Sequence, residues 1–377
     1  MSSSANITSC VIGRANSQKY IHESSTISAS VVVQCVVIFF LILCALCGNS
    51  LIFASIYRTK RLQTVTNIYT ANLAVTDISV GIFSLPLLVV SVVYDEWILP
   101  VELCLVSACV GEILLLVSIS TLAGISFDRY LCICHPLTYP NHATPTRAGA
   151  FIAVVWLIGL FFGCSPFLGW GRYCFRPLTI PMCSPMWNED ISYAAVVIVV
   201  NLTVPSMVML FSYVRIVGVA RKQARQIAQI HGAFVVRRTG RIPGQPTSTS
   251  TDVSKSNCCF NCCVNRIGGP RWNSKQSRVV SMAPRSNMKT IKTVFIVVGT
   301  FFICWGPYVG LYFYHVNNDE QKVGYVIEML VTLLAFSNSS VNPYIFALLN
   351  KDFRRAWKCL VFDILRKSHR DDTRGGV

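Results

Sequence analysis

Three carboxylates set in long apolar stretches hold most of the chemistry in this sequence. Asp128 stands beside Arg129 and Tyr130 at the end of the run from Cys104 to Phe127, where Glu112 is the only side chain of definite charge. Asp77 closes Asn72-Leu73-Ala74-Val75-Thr76-Asp77 in an earlier apolar run. A carboxylate in such surroundings is costly unless it meets a cation, a hydrogen-bond donor or a proton. Asp128 has a guanidinium as its chain neighbour, an ion pair that can be made or broken. Asp77 has Ser118, Asn338, Ser339 and Asn342 on other runs as companions. That set fits either hydrogen bonding between helices or a buried cation site. Catalysis is not expected, because the polar segments contain no Gly-rich phosphate loop and no zinc or nucleophile constellation.

The elements that position these groups follow from composition. Of 377 residues, 53% are hydrophobic and 13% charged, with a mean hydropathy of +0.52, against roughly 25% charged in soluble domains. Seven long apolar runs occur, at about 31–55, 67–93, 103–127, 148–168, 191–217, 290–314 and 323–349. A helix of ~20 residues crosses a bilayer core of ~30 Å. The expected fold is an all-α membrane protein, a seven-transmembrane helix bundle. Residues 1–30 form an N-terminal segment, 31–349 the bundle, and 350–377 a short amphipathic helix and tail. The first ten residues lack a basic stretch before an apolar core, so the first span is expected to act as its own signal.

The net charge of +16 is explained by topology rather than by nucleic acid. Fourteen Lys and Arg lie in 221–292 against one acid, Asp252, and eight more lie in 350–377. Basic loops stay in the cytoplasm, which places the N-terminus outside, the C-terminus inside and the chain in the plasma membrane. The basic inner face suits membrane lipid or an acidic protein partner. Asn6-Ile7-Thr8 is then a glycosylation sequon on the outer face. The loop at about 226–286 lacks periodicity and is expected to be disordered. Its Cys258, Cys259, Cys262 and Cys263 fit acylation or plain reduced thiols better than a zinc site. After Asn350, Phe353, Trp357, Leu360 and Val361 share one helical face with Lys and Arg around them. Such a helix lies on the inner membrane surface, and Cys359 is a candidate palmitoylation site. Four cysteines face outward: Cys10, Cys104, Cys174 and Cys183. Cys104 can bridge to Cys183 or to Cys174, and Cys174 can instead pair with Cys10.

Taken in order, the motifs resemble those of the rhodopsin-like, class A G-protein-coupled receptors, in particular the amine-type branch and its orphan relatives. The resemblance covers about 38–360. It rests on Gly48-Asn49, Leu73-Ala74 with Asp77, Cys104, Asp128-Arg129-Tyr130, Trp156, Pro205 with Tyr213, Phe301 with Cys304-Trp305-Gly306-Pro307, Asn342-Pro343, and Phe353-Arg354. It implies a receptor, not an enzyme, that passes an extracellular small-molecule signal to a heterotrimeric G protein, with arrestin and receptor kinases as further partners. It implies a Cys104–Cys183 disulfide. Asp128, Arg129, Tyr130, Tyr213, Asn342, Pro343 and Phe346 match the coupling switch; Ile119, Pro205, Phe301 and Trp305 match the core switch. Asp77, Ser118, Asn338, Ser339 and Asn342 match a sodium pocket, the one cofactor expected. The ligand pocket is expected to involve Glu112, Leu115, Asn201, Trp305, Tyr308, Tyr312, Glu328 and Thr332.

Four departures bear on function. Amine receptors carry an Asp where this chain has Gly111. Glu112, one residue on, points about 100° around the helix at ~3.6 residues per turn; it either meets a cation or is neutral or paired within the bundle. The fifth run reads Val196-Val197-Ile198-Val199-Val200 where catechol-binding serines are expected. Asn287 replaces an acid at the foot of the sixth helix, and Phe346 replaces the Tyr of the last motif. Losing the acid weakens the resting form and losing the Tyr weakens the active one, so modest ligand-free signalling is expected. A transporter would show internal repeats, and none is seen. A retinal protein needs a Lys in the seventh run, where 323–349 has none and Phe336 takes the place.

Overall fold

The computed structural model describes residues 28–175, 182–187, 189–239, 295–311, 313–314, 323–360 and 362. The helices are α1 Ala29–Arg58, α2 Val65–Tyr94, α3 Val101–Cys134 and α4 Pro145–Cys164. In α5, Ile191–Ile198, a π-turn at Val199–Thr203 and Val204–Thr239 follow one another. Then come α6, Phe295–Leu311, α7, Tyr325–Leu349, and the helix 351–360, α8. Helices α1 to α5 are each long and apolar enough to cross a membrane. Several run beyond their apolar stretches, because a helix leaving the bilayer keeps its own hydrogen bonds in water. Thus α3 extends seven residues past Phe127, and α5 reaches Thr239, past the expected loop start at about 226.

Local sequence sets the ends and kinks. Thr64, Thr144 and Asp190 cap α2, α4 and α5, each accepting from a backbone N–H three residues on. Pro145 takes the first turn of α4, where no intrahelical donor is missed. Pro86 and Pro205 lie within helices, and each follows a π-turn, Val80–Ser84 and Val199–Thr203. A proline ring displaces the carbonyl four residues back, and the widened turn absorbs it. Pro343 breaks α7, and Gly48 lets that break approach α1: a Cβ on Gly48 would lie 2.8 Å from Pro343 Cγ.

Helix α3 threads the middle, packed on α2, α4 and α5. Its inner half meets Ile52, Leu73, Met209, Phe301 and Phe346 in one apolar cluster, into which Phe353 of α8 also packs. Its outer half meets Phe162, Tyr193 and Val197 with the loop residues Tyr173 and Phe175. Large apolar side chains such as Phe40, Leu157 and Ile303 face outward at 63–67% exposure, as suits a hydrocarbon solvent. The α4–α5 loop forms a hairpin, β1 Tyr173–Phe175 against β2 Cys183–Pro185. The expected disulfide joins Cys104 to Cys183, Cα to Cα 5.5 Å, and holds β2 over the outer end of α3. Cys174 is also disulfide-bonded.

Candidate functional site

A cavity of about 140 Å³ opens under the hairpin. Met182 to Pro185, Trp97 and Trp187 form its roof; Gly111, Glu112 and Leu115 of α3 form one wall. Trp305 and Tyr308 of α6 and Thr332 and Phe336 of α7 form the other. Its floor reaches Ser118, Asn338 and Ser339. Five of the expected pocket residues therefore line it: Glu112, Leu115, Trp305, Tyr308 and Thr332. Asn201 stands behind the wall and touches the cavity only through Glu112. Glu328 is fully buried in α7 and does not line it. Tyr312 lies outside the described residues.

Glu112 is 5% exposed, and its Oε1 accepts from Asn201 Nδ2 at 2.5 Å. This is the pairing within the bundle allowed for above, and it leaves Oε2 without a donor among the described residues. The π-turn at Val199–Thr203 carries Asn201 into this position. Asn201 Oδ1, Trp305 Nε1 and Thr332 Oγ1 are buried without a hydrogen-bond partner. Unpartnered buried polar atoms are uncommon in folded proteins, and here they cluster around one cavity. Gly111 has open space where a Cβ would stand. Trp97 and Trp187 of the aromatic roof were not among the residues expected to line the pocket, since only tertiary folding fixes which loop side chains face it.

Below the cavity, Asn342 Nδ2 donates to Asp77 Oδ2 at 3.0 Å. Asp77 Oδ1 and Asn338 Oδ1 have no donor. Two buried acceptor oxygens, one on a carboxylate, are the hard ligands an alkali or alkaline-earth cation prefers. Of the five residues expected to hold sodium, Asp77 and Asn338 thus offer unpartnered oxygens, Ser118 and Ser339 line the cavity floor, and Asn342 offers a donor to Asp77 instead. A neighbouring node ties α2, α3 and α4: Asn72 donates to Thr121 at 2.8 Å and accepts from Trp156 at 2.9 Å.

At the inner end Asp128 is 6% exposed and fully engaged. Arg129 Nη2 lies 2.6 Å from Asp128 Oδ2, with Nε at 3.2 Å. Thr66 donates to the same oxygen at 2.6 Å, and the Tyr139 hydroxyl to Oδ1 at 3.0 Å. Burial, then the Asp128 carboxylate, pushes the Tyr139 phenol above its ordinary value, so it stays a donor. Tyr130 instead bonds His135 at 3.0 Å. Tyr213 packs on Phe295 at 5.2 Å, and Phe346 on Phe353 at 6.2 Å. Ile119 and Phe301 share the inner cluster, with Trp305 packed against it; Pro205 and Pro343 are buried. Thr66 and Tyr139 were not singled out from sequence: they lie 62 and 11 residues from Asp128. Asn287, Asn6 and Cys258 to Cys263 lie outside the described residues. Cys359 is exposed on α8.

Comparison with known proteins fits this geometry. The family described as "7 transmembrane receptor (rhodopsin family)" matches residues 48–346. G-protein coupled receptor 161 of Xenopus tropicalis is 30% identical over 308 residues, covering 82% of this chain and 56% of the relative. Octopamine receptor beta-2R of Drosophila melanogaster is 27% identical, covering 85% and 60%. The chain thus spans little more than half the length of these relatives. The Histamine H2 receptor of Cavia porcellus is 28% identical, covering 85% and 77%. Among solved structures, squid rhodopsin superposes with a TM-score of 0.69 at 22% identity, over 89% of this chain and 87% of that one, a likeness of fold. With the family pattern running from Gly48 to Phe346 across the bundle, the chain belongs to the rhodopsin family of seven-transmembrane receptors.

Proposed function

We propose that this chain is a plasma-membrane receptor, its N-terminus outside, that takes a small cationic ligand into the outer cavity and signals to a heterotrimeric G protein at its inner end. The observation that carries the ligand class is Glu112, a buried carboxylate on the cavity wall whose one hydrogen-bond partner among the described residues is Asn201. A cation with an N–H donor satisfies Oε2 by a charge-assisted bond, stronger than a neutral one. The aromatic side chains Trp97, Trp187, Trp305 and Tyr308 receive its apolar body and favour positive charge over their faces. The names of the octopamine and histamine relatives support the same class. Gly111 removes the usual counter-ion, and Glu112 supplies the charge from the next position.

Ligand binding biases a two-state bundle. Ligand pressing on Trp305 and α3 shifts the packing of Ile119, Pro205 and Phe301. Arg129 leaves Asp128, and the inner ends of α5 and α6 part for the G protein. Asp77, Asn338, Ser339 and Ser118 hold a sodium ion in the resting form, where it neutralises the Asp77 charge. Basal signalling is modest. Cys359 acylation anchors α8, Asn6 carries a glycan, and arrestin and receptor kinases act on the inner face.

The test uses octopamine, histamine, serotonin and 2-phenylethylamine, with cells expressing the full chain and reporters for several G-protein classes. At least one amine raises signal, and Glu112→Gln lowers its potency roughly tenfold or more, the loss of a charged hydrogen bond. Activation by neutral or anionic compounds alone, or unchanged potency in Glu112→Gln, contradicts the proposal.

A further inference from the structure

A second, larger hollow of about 590 Å³ lies on the lipid-facing side of the inner half of the bundle. Gly124 and Phe127 of α3, Phe151 and Ile158 of α4, and Val204 and Val208 of α5 make its apolar walls. At its inner rim stand Arg147 and His142. Gly124 gives the groove its depth: Phe151 packs so close that a Cβ on Gly124 would lie 2.9 Å from its ring.

The groove has the length and polarity of one lipid. From Arg147 to Ile158 helix α4 rises about 16 Å at ~1.5 Å per residue. That is close to half of a ~30 Å hydrocarbon core. One end is therefore at the inner headgroup level and the other near the bilayer midplane. Arg147 is exposed at the headgroup end; its Nη1 donates to Asn141 O at 3.0 Å and meets His142 Nδ1 at 3.1 Å. Nε and Nη2 remain, in the fork geometry that suits phosphate oxygens. Asp128 is the one carboxylate on the groove wall, and Arg129, Thr66 and Tyr139 occupy its oxygens. Net repulsion of an anion at the rim is thereby reduced.

We propose that this groove is a binding site for an anionic glycerophospholipid of the inner leaflet, its headgroup on Arg147 and an acyl chain against Gly124, Phe151 and Val204. The site is separate from the ligand cavity. It touches the signalling machinery through Pro205 and Asp128, both on its wall. A lipid seated there stabilises the arrangement of α3, α4 and α5 that forms the groove, since any occupant favours the state it binds.

The test is lipid retention by the purified full chain. The receptor is exchanged into POPC nanodiscs containing phosphatidylserine (POPS) or cholesterol, re-extracted in mild detergent, and its co-purifying lipid quantified by mass spectrometry. Wild type retains POPS several-fold over POPC and unfolds at higher temperature when POPS is present. Arg147→Gln lowers the POPS preference to what the other basic residues of the inner face maintain, Arg147→Lys keeps more of it, and Val204→Trp, filling the exposed wall, lowers retention of both lipids. Val204 is 53% exposed, so that variant keeps the fold and serves even where Arg147→Gln does not. Equal retention of POPS and POPC by wild type overturns the proposal. An unchanged POPS preference in Arg147→Gln or in Val204→Trp does the same. Preferential retention of cholesterol assigns the groove to a sterol, and lipid-free dimers that Val204→Trp dissociates assign it to a second copy; either result also overturns it.

Discussion

The two halves of α3 carry a buried carboxylate each, and their surroundings differ in how far hydrogen bonds fill them. At the inner end both oxygens of Asp128 are taken, by Arg129 and Thr66 on one and Tyr139 on the other. At the outer end Glu112 has a single partner, and three polar atoms around it have none. A filled network rigidifies and specifies one arrangement, while a partly filled one stores unmet hydrogen-bonding capacity. The inner network is therefore suited to hold a resting form, and the outer one to be completed by something that arrives. Both lie on one 34-residue helix, so a change at one end has a continuous packed path to the other.

The sharpest way to break the inner network is Asp128→Asn, which removes the charge that holds Arg129. Hydrogen bonds to charged groups contribute about 1.5–3 kcal/mol each. Ligand-free G-protein activation should rise clearly at matched surface expression, read by second-messenger output. An unchanged basal signal means that Asp128 does not hold the resting form. A milder version removes the neutral donors: Tyr139→Phe or Thr66→Val, each about 0.5–1.5 kcal/mol, should raise basal output less than Asp128→Asn does. If either exceeds it, the ranking of partners around Asp128 is wrong.

Smaller effects are expected where the chain departs from its family at positions 287 and 346. Asn287→Glu restores the acid that the family likeness implies for Arg129, an ion pair of roughly 0.2–1 kcal/mol, and should lower basal output. Phe346→Tyr offers a hydroxyl toward Tyr213, through water in the open form, and should raise it. Two null results would remove the account of modest basal signalling while leaving the Asp128 network in place.

Much of this was legible in the sequence, for a physical reason. A bilayer demands long apolar runs, so run length alone located the first five of the seven expected spans, each a helix long and apolar enough to cross a membrane, and Asp77, Glu112 and Asp128 stood out against them. The Cys104–Cys183 bridge came from the family likeness and is present in the structure. Asp128 and Arg129 are chain neighbours, so their pairing needed no fold. The partners that decide how each carboxylate behaves were harder to see. Asn201 is 89 residues from Glu112, and its placement depends on a π-turn ahead of Pro205. Thr66 and Tyr139 reach Asp128 from the foot of α2 and from the short helix Tyr139–His142, and neither belongs to a periodic pattern. Helix ends are less legible, because apolarity stops before helical hydrogen bonding does, as in α5, which runs on to Thr239.

The contrast between a filled inner site and an open outer one is tested most directly by carrying two variants through one assay. Glu112→Gln and Thr66→Val are expressed at matched surface levels with wild type, and both basal output and amine dose–response are recorded. The account predicts that Glu112→Gln loses amine potency with basal output near wild type, while Thr66→Val raises basal output and keeps the amine response. Basal output that rises in Glu112→Gln and stays flat in Thr66→Val, with amine potency unchanged in both, would contradict it.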